Sequence, residues 1–245
     1  MSTSAARTLD LMAFVAASER PLGLMELVEQ SGLDKSTAGR LLSFLVQRGF
    51  LNRDPVTKRY TVGPAFIALG AAALNRWELK ANAAAHLRRL CEVTGETSSL
   101  HLRVGDERIC VAGVESSHPV RRVLTIGERV PLHASPTGKV ILAFLDENEA
   151  KGPLAAARAA GIDVLVLERT LARIREQRHM IGVGDRTPGV GAVSVPLFEQ
   201  DGTPVASLTI AGPADRWTPS RMEECLPLLR AAAEQICIAP GVRTI

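Results

Sequence analysis

Two short predicted helices joined by a glycine-containing turn constrain the fold of this chain more than any other feature. Residues 24–30 predict an amphipathic helix, and residues 31–33 separate it from a second helix that Asp34 can cap and Gly49 can end. The second helix has apolar residues at the i, i+3, i+4 and i+7 positions, which predicts one buried face. These residues are Ala38, Leu41, Leu42 and Leu45. The arrangement predicts a helix-turn-helix.

A predicted β-hairpin follows this helix pair directly. Residues 50–54 and 59–62 predict its strands, and residues 55–58 predict its turn. Between Asp34 and Gly63 the chain has six Lys or Arg and two acidic residues, a local charge of +4, whereas the whole chain carries +3. A hairpin in this place predicts the wing of a winged helix-turn-helix, and the concentrated positive charge favours a DNA partner.

The polar face of the second helix and the hairpin supply the candidate DNA contacts. We expect Arg40, at the centre of the helix face, to meet a base edge or a neighbouring phosphate. Contacts with double-stranded DNA are predicted for Lys35, Ser36, Thr37, Arg40, Ser43, Arg53, Lys58 and Arg59. The alternative is a small helical bundle with a solvated basic face.

Several short segments, in their order and spacing, resemble the isocitrate lyase regulator (IclR) family of bacterial transcription factors. They are residues 8–11, 32–37, 40–42, 48–51, 59–64, 129–134, 138–139 and 188–190. The resemblance extends over nearly the whole chain. Together with the pattern of elements, it implies a winged helix-turn-helix domain over residues 1–63, a linker helix over 64–79, and an effector-binding and oligomerisation domain over 80–245.

Alternating strand and helix signals predict an α+β fold for the second domain. Strands are predicted over 97–104, 107–114, 120–126, 190–198 and 205–211, with a turn at 200–203, and helices over 81–93, 137–145 and 171–178. A last helix begins with Thr218 as N-cap and Pro219 at its first position, and Pro227 should kink or split it. The resemblance implies a GAF/PAS-like sensor fold, with a small-molecule pocket on one side of an antiparallel sheet.

Two further helices bear on assembly. Residues 5–18 predict a helix that is apolar on most sides. A small domain can cover only one of those sides, so the other needs a second subunit or a second domain. The helix that Pro64 begins is rich in small residues, which permit close helix contact. It is interpreted as the linker, with the first helix of the second domain as the alternative. The resemblance implies paired DNA-binding domains on a palindromic operator and a homo-oligomer that is a dimer of dimers.

The motifs of the rival class, an enzyme, are missing or broken. Residues 135–139 look like the end of a phosphate-binding loop, but His133 stands where that loop needs a glycine. Gly182 and Gly184 begin a dinucleotide-binding pattern that Thr187 breaks. The histidines and the four cysteines have no metal-ligand spacing. We therefore expect no enzyme activity, no metal and no cofactor, and we interpret the cysteines as buried thiols.

Composition sets the remaining bounds. The chain is 46% hydrophobic, yet no segment has the ~20 uninterrupted apolar residues of a membrane span, and the N-terminus has no signal-peptide pattern. We therefore expect a cytoplasmic protein without membrane contact. Aromatic residues make up only 4% of the chain, so its cores must consist largely of Leu, Val, Ile and Ala.

The resemblance also implies where the effector pocket lies. The family holds metabolite acids at the two residues before a Gly-Lys pair, here Pro136 and Thr137. A helix that starts at this point would expose N–H groups at the positive end of its dipole. The predicted pocket residues are Val130, Pro136, Thr137, Gly138, Gly182, Ala192, Thr209 and Ala211. The alternative is that these positions are ordinary core.

Several of these positions are less polar than the family pattern implies. Where the family often places an acid, a thiol or a hydroxyl, this chain has Gly182, Ala192 and Ala211. We therefore expect a partly apolar effector, an aromatic acid or a related aromatic amide, rather than a short keto acid such as glyoxylate. The sequence predicts a DNA-binding transcription regulator, and the resemblance implies that a small organic effector controls it. The alternative is a ligand-binding or scaffold protein without sequence-specific DNA binding.

Overall fold

The computed structural model describes residues 4–75, 78–199 and 201–238. Its contacts divide the chain into two compact units, Met1–Arg76 and Trp77–Ile245. Several predicted features extend to positions outside the described residues. These positions are 1–3 in the first domain, 76–77 in the linker helix, Gln200 in the hairpin turn, 239–245 in the second domain, and the side chain of Cys237.

The first unit is a helix-turn-helix followed by a two-stranded antiparallel hairpin, as predicted. Its elements are α1 (Ser4–Ala17), α2 (Leu24–Ser31), α3 (Lys35–Gln47), β1 (Leu51–Arg53), β2 (Tyr60–Val62) and α4 (Pro64–Asn75). The core of the unit consists mainly of leucines from α1, α2 and α3, together with Leu51 and Tyr60 of the hairpin. The hairpin therefore packs on the helix pair as part of one core.

Local interactions fix where α2 ends and where α3 begins. Gly32 ends α2 in the left-handed region, with φ at 64°. Asp34 stands just before α3, and its Oδ1 accepts a hydrogen bond from the Ser36 hydroxyl at 2.6 Å and one from the Thr37 N–H at 2.9 Å. These bonds, the Ser36 bond most, lower the pKa of Asp34. The predicted cap is therefore confirmed.

The second unit combines helices with an antiparallel sheet. Its strands are β3 (Thr97–Val104), β4 (Glu107–Val114), β5 (Arg129–Pro131), β6 (Met180–Val183), β7 (Val190–Phe198) and β8 (Pro204–Pro213). Its helices are α5 (Glu78–Thr94), α6 (Pro136–Leu142), α7 (Glu147–Ala159), α8 (Val164–Gln177) and α9 (Pro219–Ile238). Within the described residues, the strands form one sheet in the order β5-β4-β3-β8-β7-β6, with antiparallel neighbours throughout. The predicted α+β class is confirmed.

The two faces of this sheet have different partners. Leu100 of β3 and Leu208 of β8 belong to the hydrophobic core that α5 and α9 share with the sheet. Ser99 and Thr209, which are cross-strand partners, alternate with them and therefore point to the opposite face. Helix α6 packs on β7 and β8 at that opposite face. One face is thus closed by two helices, and the other carries a cavity.

The segment from Glu115 to Glu128, which we call the strap, does not contain the predicted strand over 120–126. Three of its apolar residues are more than half exposed, namely Val120, Val123 and Ile126. Their spacing of three does not match the period of two that a strand needs to bury one face. The fifth strand is instead Arg129–Pro131, at the edge of the sheet.

A buried carboxylate ties the strap to the body of the second unit. The side chain of Glu96, just before β3, is only 1% exposed and accepts hydrogen bonds from both Nε and Nη2 of Arg216. Nη2 of Arg216 also donates to the carbonyl of Val120 in the strap at 2.8 Å. A Cβ atom at Gly212 of β8 would overlap the Glu96 carboxylate, so there is no room beside this carboxylate for a side chain at position 212.

Of the predicted kink or split at Pro227, the split is wrong, because α9 runs through this proline without a break. Met222 and Leu229, on either side of Pro227, both lie in the core beneath the sheet. Burial of this continuous apolar face offsets the local cost of a proline inside a helix.

The sequence prediction also left out α7 and β6, and it began α8 too late, at Leu171 rather than Val164. Both helices have an aspartate N-cap. Asp146 accepts from two N–H groups at the start of α7, and Asp163 does the same for α8. These caps were the signal that the prediction overlooked.

Candidate nucleic-acid interface and ligand pocket

The polar side of α3 is exposed, and we call it the α3 face. The opposite side of the helix is buried in the core of the first unit through Ala38, Leu41, Leu42 and Leu45. The α3 face presents four predicted contacts to solvent, namely Lys35, Ser36, Arg40 and Ser43, with Thr37 half-buried beside them. Arg40 lies midway along this face, and an arginine there can reach a base edge in a major groove.

The hairpin places its three basic residues in two different settings. Arg53 and Lys58 are exposed. Arg59 forms an ion pair with Glu26 of α2 at 2.9 Å and donates to the carbonyl of Pro21 at 2.8 Å. Arg59 therefore braces the hairpin against the first helix of the motif, and Arg53 and Lys58 form the basic surface of the hairpin.

The cavity on the second sheet face, which we call the sheet pocket, encloses about 600 Å³ of space, part of it open to solvent. The enclosed volume, which is the figure that compares with cavities in other proteins, is about 60 Å³. Residues of β3, β4, β6, β7 and β8 form its floor. The strap, the start of α6 and the loop over residues 184–189 form its walls.

Six of the eight predicted effector residues line the sheet pocket, namely Pro136, Thr137, Gly182, Ala192, Thr209 and Ala211. Val130 and Gly138 are not among the described residues that line it. Val130 is a buried residue of β5 that pairs with Arg108 of β4. A Cβ at Gly138 would overlap the backbone of Leu132, so this glycine permits the close packing of α6 on the turn before it.

Three buried side chains from β3 and β4 form a polar chain in the pocket. Arg108 Nη1 lies 2.9 Å from His101 Nδ1, and His101 Nε2 lies 2.8 Å from Ser99 Oγ. Arg108 can only donate, so His101 Nδ1 accepts and its Nε2 carries the proton that Ser99 receives. Burial, reinforced by Arg108, lowers the pKa of His101 well below its usual value. With the imidazole neutral, the Ser99 hydroxyl can donate its own proton to a group in the pocket.

The pocket carries more positive than negative charge. Arg108, Arg122 and Arg186 all line it, and Glu128 is the carboxylate that they share. Arg186 donates two hydrogen bonds to Glu128, whereas the nearest nitrogens of Arg108 and Arg122 lie 3.8 Å from it. The Arg186 bonds lower the pKa of Glu128, so it stays ionised. Burial lowers the pKa of Arg108 to about 10, which still leaves the guanidinium charged at neutral pH.

The start of α6 offers fewer donors than the sequence predicts. Pro136 has no N–H, and the Gly138 N–H is already 3.3 Å from the side-chain oxygen of Ser135, which caps the helix. Lys139 pairs with Asp185 of the pocket wall at 2.6 Å. The charges of Lys139 and Asp185 cancel each other. The three positive arginines and the negative Glu128 therefore leave the pocket with a net charge of +2. The helix start is therefore a weak site for an anion.

Sequence reasoning missed the polar groups that β3 and β4 bring to the pocket. It expected few hydrogen-bond donors, but Ser99, His101 and Arg108 line the cavity together. A signal was present, because Ser99 and His101 alternate with Leu100 in a strand whose other face is apolar. What the sequence could not supply was the side-chain contact between Arg108 of β4 and His101 of β3, which lie diagonally across the strand pair.

Among the described residues, no three His, Cys, Asp or Glu side chains come together as a metal site. Cys91, Cys110 and Cys225 are buried thiols without a disulfide, and burial raises the pKa of each. In the described part of the chain, no helix is both long enough and apolar enough to cross a membrane.

Comparison with known proteins places similar domains in both units. A family model described as the IclR helix-turn-helix domain matches residues 4–55, and one described as the bacterial transcriptional regulator IclR C-terminal domain matches residues 71–238. The HTH-type transcriptional regulator BhcR of Paracoccus denitrificans (strain Pd 1222) is 30% identical over 243 residues, which cover 97% of this chain and 87% of the relative. That relative is named a regulator, in agreement with the interpretation of this chain as a regulator rather than an enzyme.

Solved structures show the same architecture. An IclR transcriptional regulator from Silicibacter sp. TM1040 has a TM-score of 0.86 at 26% identity and covers 96% of this chain and 95% of its own. An IclR homolog from Microbacterium hydrocarbonoxydans, solved in complex with 4-hydroxybenzoate, has a TM-score of 0.75 at 21% identity and covers 96% of this chain and 98% of its own. At that identity, the second likeness is one of fold alone.

Proposed function

The chain belongs to the IclR family of bacterial transcriptional regulators, and on this basis we propose that it binds a palindromic operator under the control of a small aromatic acid. The observation that carries the DNA part of the proposal is the α3 face, with Arg40 exposed at its centre. In this proposal α3 lies in the major groove, and the hairpin lies along the backbone next to it. Residues 1–63 bind DNA, and residues 80–245 bind the effector and join the subunits.

The eight predicted DNA contacts take different roles in this proposal. Arg40 meets a base edge, and the neighbouring residues of the α3 face contact bases or phosphates. Arg53 and Lys58 contact phosphates, because both are exposed and basic. Arg59 acts mainly by holding the hairpin in place, because Glu26 already occupies its guanidinium.

Competition binding with genomic fragments from upstream of the gene tests the DNA proposal. Arg40→Ala should cost about 1–3 kcal/mol at the operator and relax specificity at one base position. Lys58→Ala should weaken binding to all sequences and lower the salt slope by about one unit. Arg158→Ala is a matched control, since it removes one positive charge from an exposed position of α7. Unchanged operator binding in the Arg40→Ala, Lys58→Ala double variant would contradict the assignment.

The outer side of α1 supports pairing of two chains. Leu11 and Val15 are buried in the core of the first unit, whereas Leu9 is 63% exposed and Ala13 and Ala16 are exposed beside it. The sequence predicts that a second subunit or a second domain covers this apolar surface. We propose a homodimer through the first unit, and a dimer of dimers as the resemblance implies. Light scattering that finds a monomer at micromolar concentration would contradict both, and a stable dimer would remove only the tetramer.

The sheet pocket supports an aromatic acid as the effector, with the related amide as the neutral member of the class. Its excess charge of +2 favours an anion, and its apolar lining favours a ring. That lining includes Leu124, Pro136, Val190, Ala192 and Ala211. Burial of a ring contributes roughly 25 cal/mol per Å² of apolar area, which a two-carbon keto acid cannot match.

Thermal-shift screening tests the effector class. The panel contains 4-hydroxybenzoate, benzamide, glyoxylate and pyruvate, and release of labelled operator DNA serves as a second measurement. Aromatic compounds should raise the melting temperature and change operator affinity. Stabilisation by glyoxylate or pyruvate, and by no aromatic compound, would show that the pocket has been assigned to the wrong class of ligand.

A further inference from the structure

The floor of the sheet pocket is more polar on its β3 and β4 strands than on β7. The β4 and β3 side contributes Arg108, His101 and Ser99, whereas the β7 side contributes Val190 and Ala192. In the order of the sheet, β3 is two strand spacings from β7, about 10 Å, and β4 is three, about 14 Å. A ligand with one ring and one acid group can extend between them. The gradient therefore orients such a ligand as well as accommodating it.

Arg108 differs from the other two arginines of the pocket. Its side chain is only 4% exposed, and its Nε–H has no hydrogen-bond partner among the described residues. Its nearest carboxylate oxygen, on Glu128, is 3.8 Å away, beyond hydrogen-bond distance. A buried donor without a partner is costly, and a buried guanidinium without a directly bonded anion is more so. Arg108 is thus a cation that the chain's own carboxylates leave incompletely paired.

We propose that Arg108 binds the acid group of the effector, that Ser99 donates a second hydrogen bond to it, and that the ring extends toward Val190 and Ala192. This inference deepens the proposed function and rests on it, because it concerns the same pocket and the same ligand. It moves the anion site from the start of α6 to the β3–β4 side of the sheet. His101 is a positioning residue, since it accepts from Arg108 and donates to Ser99.

The competing cations are less suited to this role. Arg186 already donates two hydrogen bonds to Glu128, and its side chain is 34% exposed. Arg122 is 28% exposed, so water screens its charge more strongly. A ligand carboxylate next to Arg108 is shielded from solvent, and a charge-assisted hydrogen bond is strongest there. The excess of +2 accepts one more anion without displacing Glu128.

The test compares 4-hydroxybenzoate with 4-hydroxybenzamide, which has the same shape without the charge, by calorimetry on the full chain. The wild-type chain should bind the acid at least tenfold more tightly than the amide. Arg108→Gln should weaken binding of the acid by about 10- to 100-fold and leave the affinity for the amide nearly unchanged. Arg108→Lys should keep part of the preference for the acid, because it keeps the charge. Operator binding and the melting temperature show that each variant is folded.

Two further variants make the comparison specific. Arg158→Gln, at an exposed position of α7, is matched in charge and should leave both affinities unchanged. Thr137→Val probes the start of α6 and should reduce acid binding less than Arg108→Gln does. If Arg108→Gln binds the acid as tightly as the wild-type chain does, or if Thr137→Val causes the larger loss, the assignment to Arg108 is overturned.

Failure of this inference can be told apart from failure of the proposed function. If only aliphatic acids such as pyruvate bind, and Arg108→Gln abolishes that binding, the Arg108 assignment stands and the aromatic class falls. If the amide binds and no carboxylate does, the pocket is still supported as the ligand site, but the assignment of Arg108 as the anion-binding residue is refuted. If no compound in the panel binds, both fall.

Discussion

The ion pair between Glu96 and Arg216 gives the sharpest prediction about stability. Arg216→Met removes both hydrogen bonds to a carboxylate whose side chain is 1% exposed. The backbone at Gly212 lies against that carboxylate, so Glu96 has little space in which to turn toward water. The variant therefore leaves a buried charge without its partner, and it also releases the Arg216 bond to the strap at Val120.

Removing one partner of a buried ion pair costs about 3–5 kcal/mol. For a unit of this size, about 2–4 °C of melting temperature is lost per kcal/mol, so the expected loss is about 6–20 °C. Because Arg216 itself is 29% exposed, some water reaches the pair, and the lower part of that range is expected. The double variant Arg216→Met, Glu96→Gln buries no unpaired charge, so it should regain part of the loss.

Differential scanning calorimetry of the full chain measures these differences. Arg121→Met is the matched control, because the same substitution, made in the strap itself, breaks the exposed Arg121–Glu115 pair. It should leave the melting temperature nearly unchanged, since solvent screens that pair. If Arg216→Met lowers the melting temperature no more than Arg121→Met does, Glu96 is not the buried, confined charge described above.

Three further predictions concern the first unit and α6. The hydrogen bond from the Gly23 N–H, and to a smaller extent the one from Arg20, lower the pKa of Glu26 to about 2. This carboxylate therefore stabilises the folded unit at pH values above its ordinary pKa of 4.5, and the stabilisation is lost as the pH falls toward 2. In thermal unfolding, wild type should exceed Glu26→Gln in stability at pH 7 and match it near pH 2; an equal gap at both would contradict this. Arg59→Ala should lower both melting temperature and operator affinity, whereas Lys58→Gln should lower operator affinity alone; equal melting temperatures for the two variants would show that Arg59 does not brace the hairpin. Gly138→Ala should cost about 1–3 kcal/mol in urea unfolding, because its Cβ meets the Leu132 backbone; loss of ligand binding at unchanged stability would instead make Gly138 a ligand contact.

Local signals made the first unit predictable from the sequence. The Asp34 cap, the left-handed Gly32 and the spacing of buried leucines in α3 are all set by neighbours within a few residues. The strap was mispredicted because its β-branched residues suggest a strand, whereas their spacing of three leaves no face to bury. In the strap, β-strand propensity and the spacing of apolar residues disagree, and the segment follows the spacing and forms no strand.

The candidate pocket was predictable only in part, for a different reason. Family positions on β7 and β8 identified part of its apolar lining, namely Ala192 and Ala211. The polar side depends on which residue of β4 lies beside which residue of β3. Arg108 is the register partner of Arg103 and lies diagonally across from His101, and no local pattern in the sequence specifies that these two side chains meet. The contact between Arg108 and His101 therefore became visible only in the folded sheet.

The alternation along β3 and β8 has a consequence for how such a chain can change over generations. Odd-numbered residues such as Ser99 and Thr209 face the cavity, while their even-numbered neighbours Leu100 and Leu208 face α5 and α9. A substitution in the first set alters what the cavity holds and leaves the packing beneath the sheet in place. For the proposed effector site, inherited substitutions can therefore change the ligand chemistry one side chain at a time, while the same framework is passed on intact.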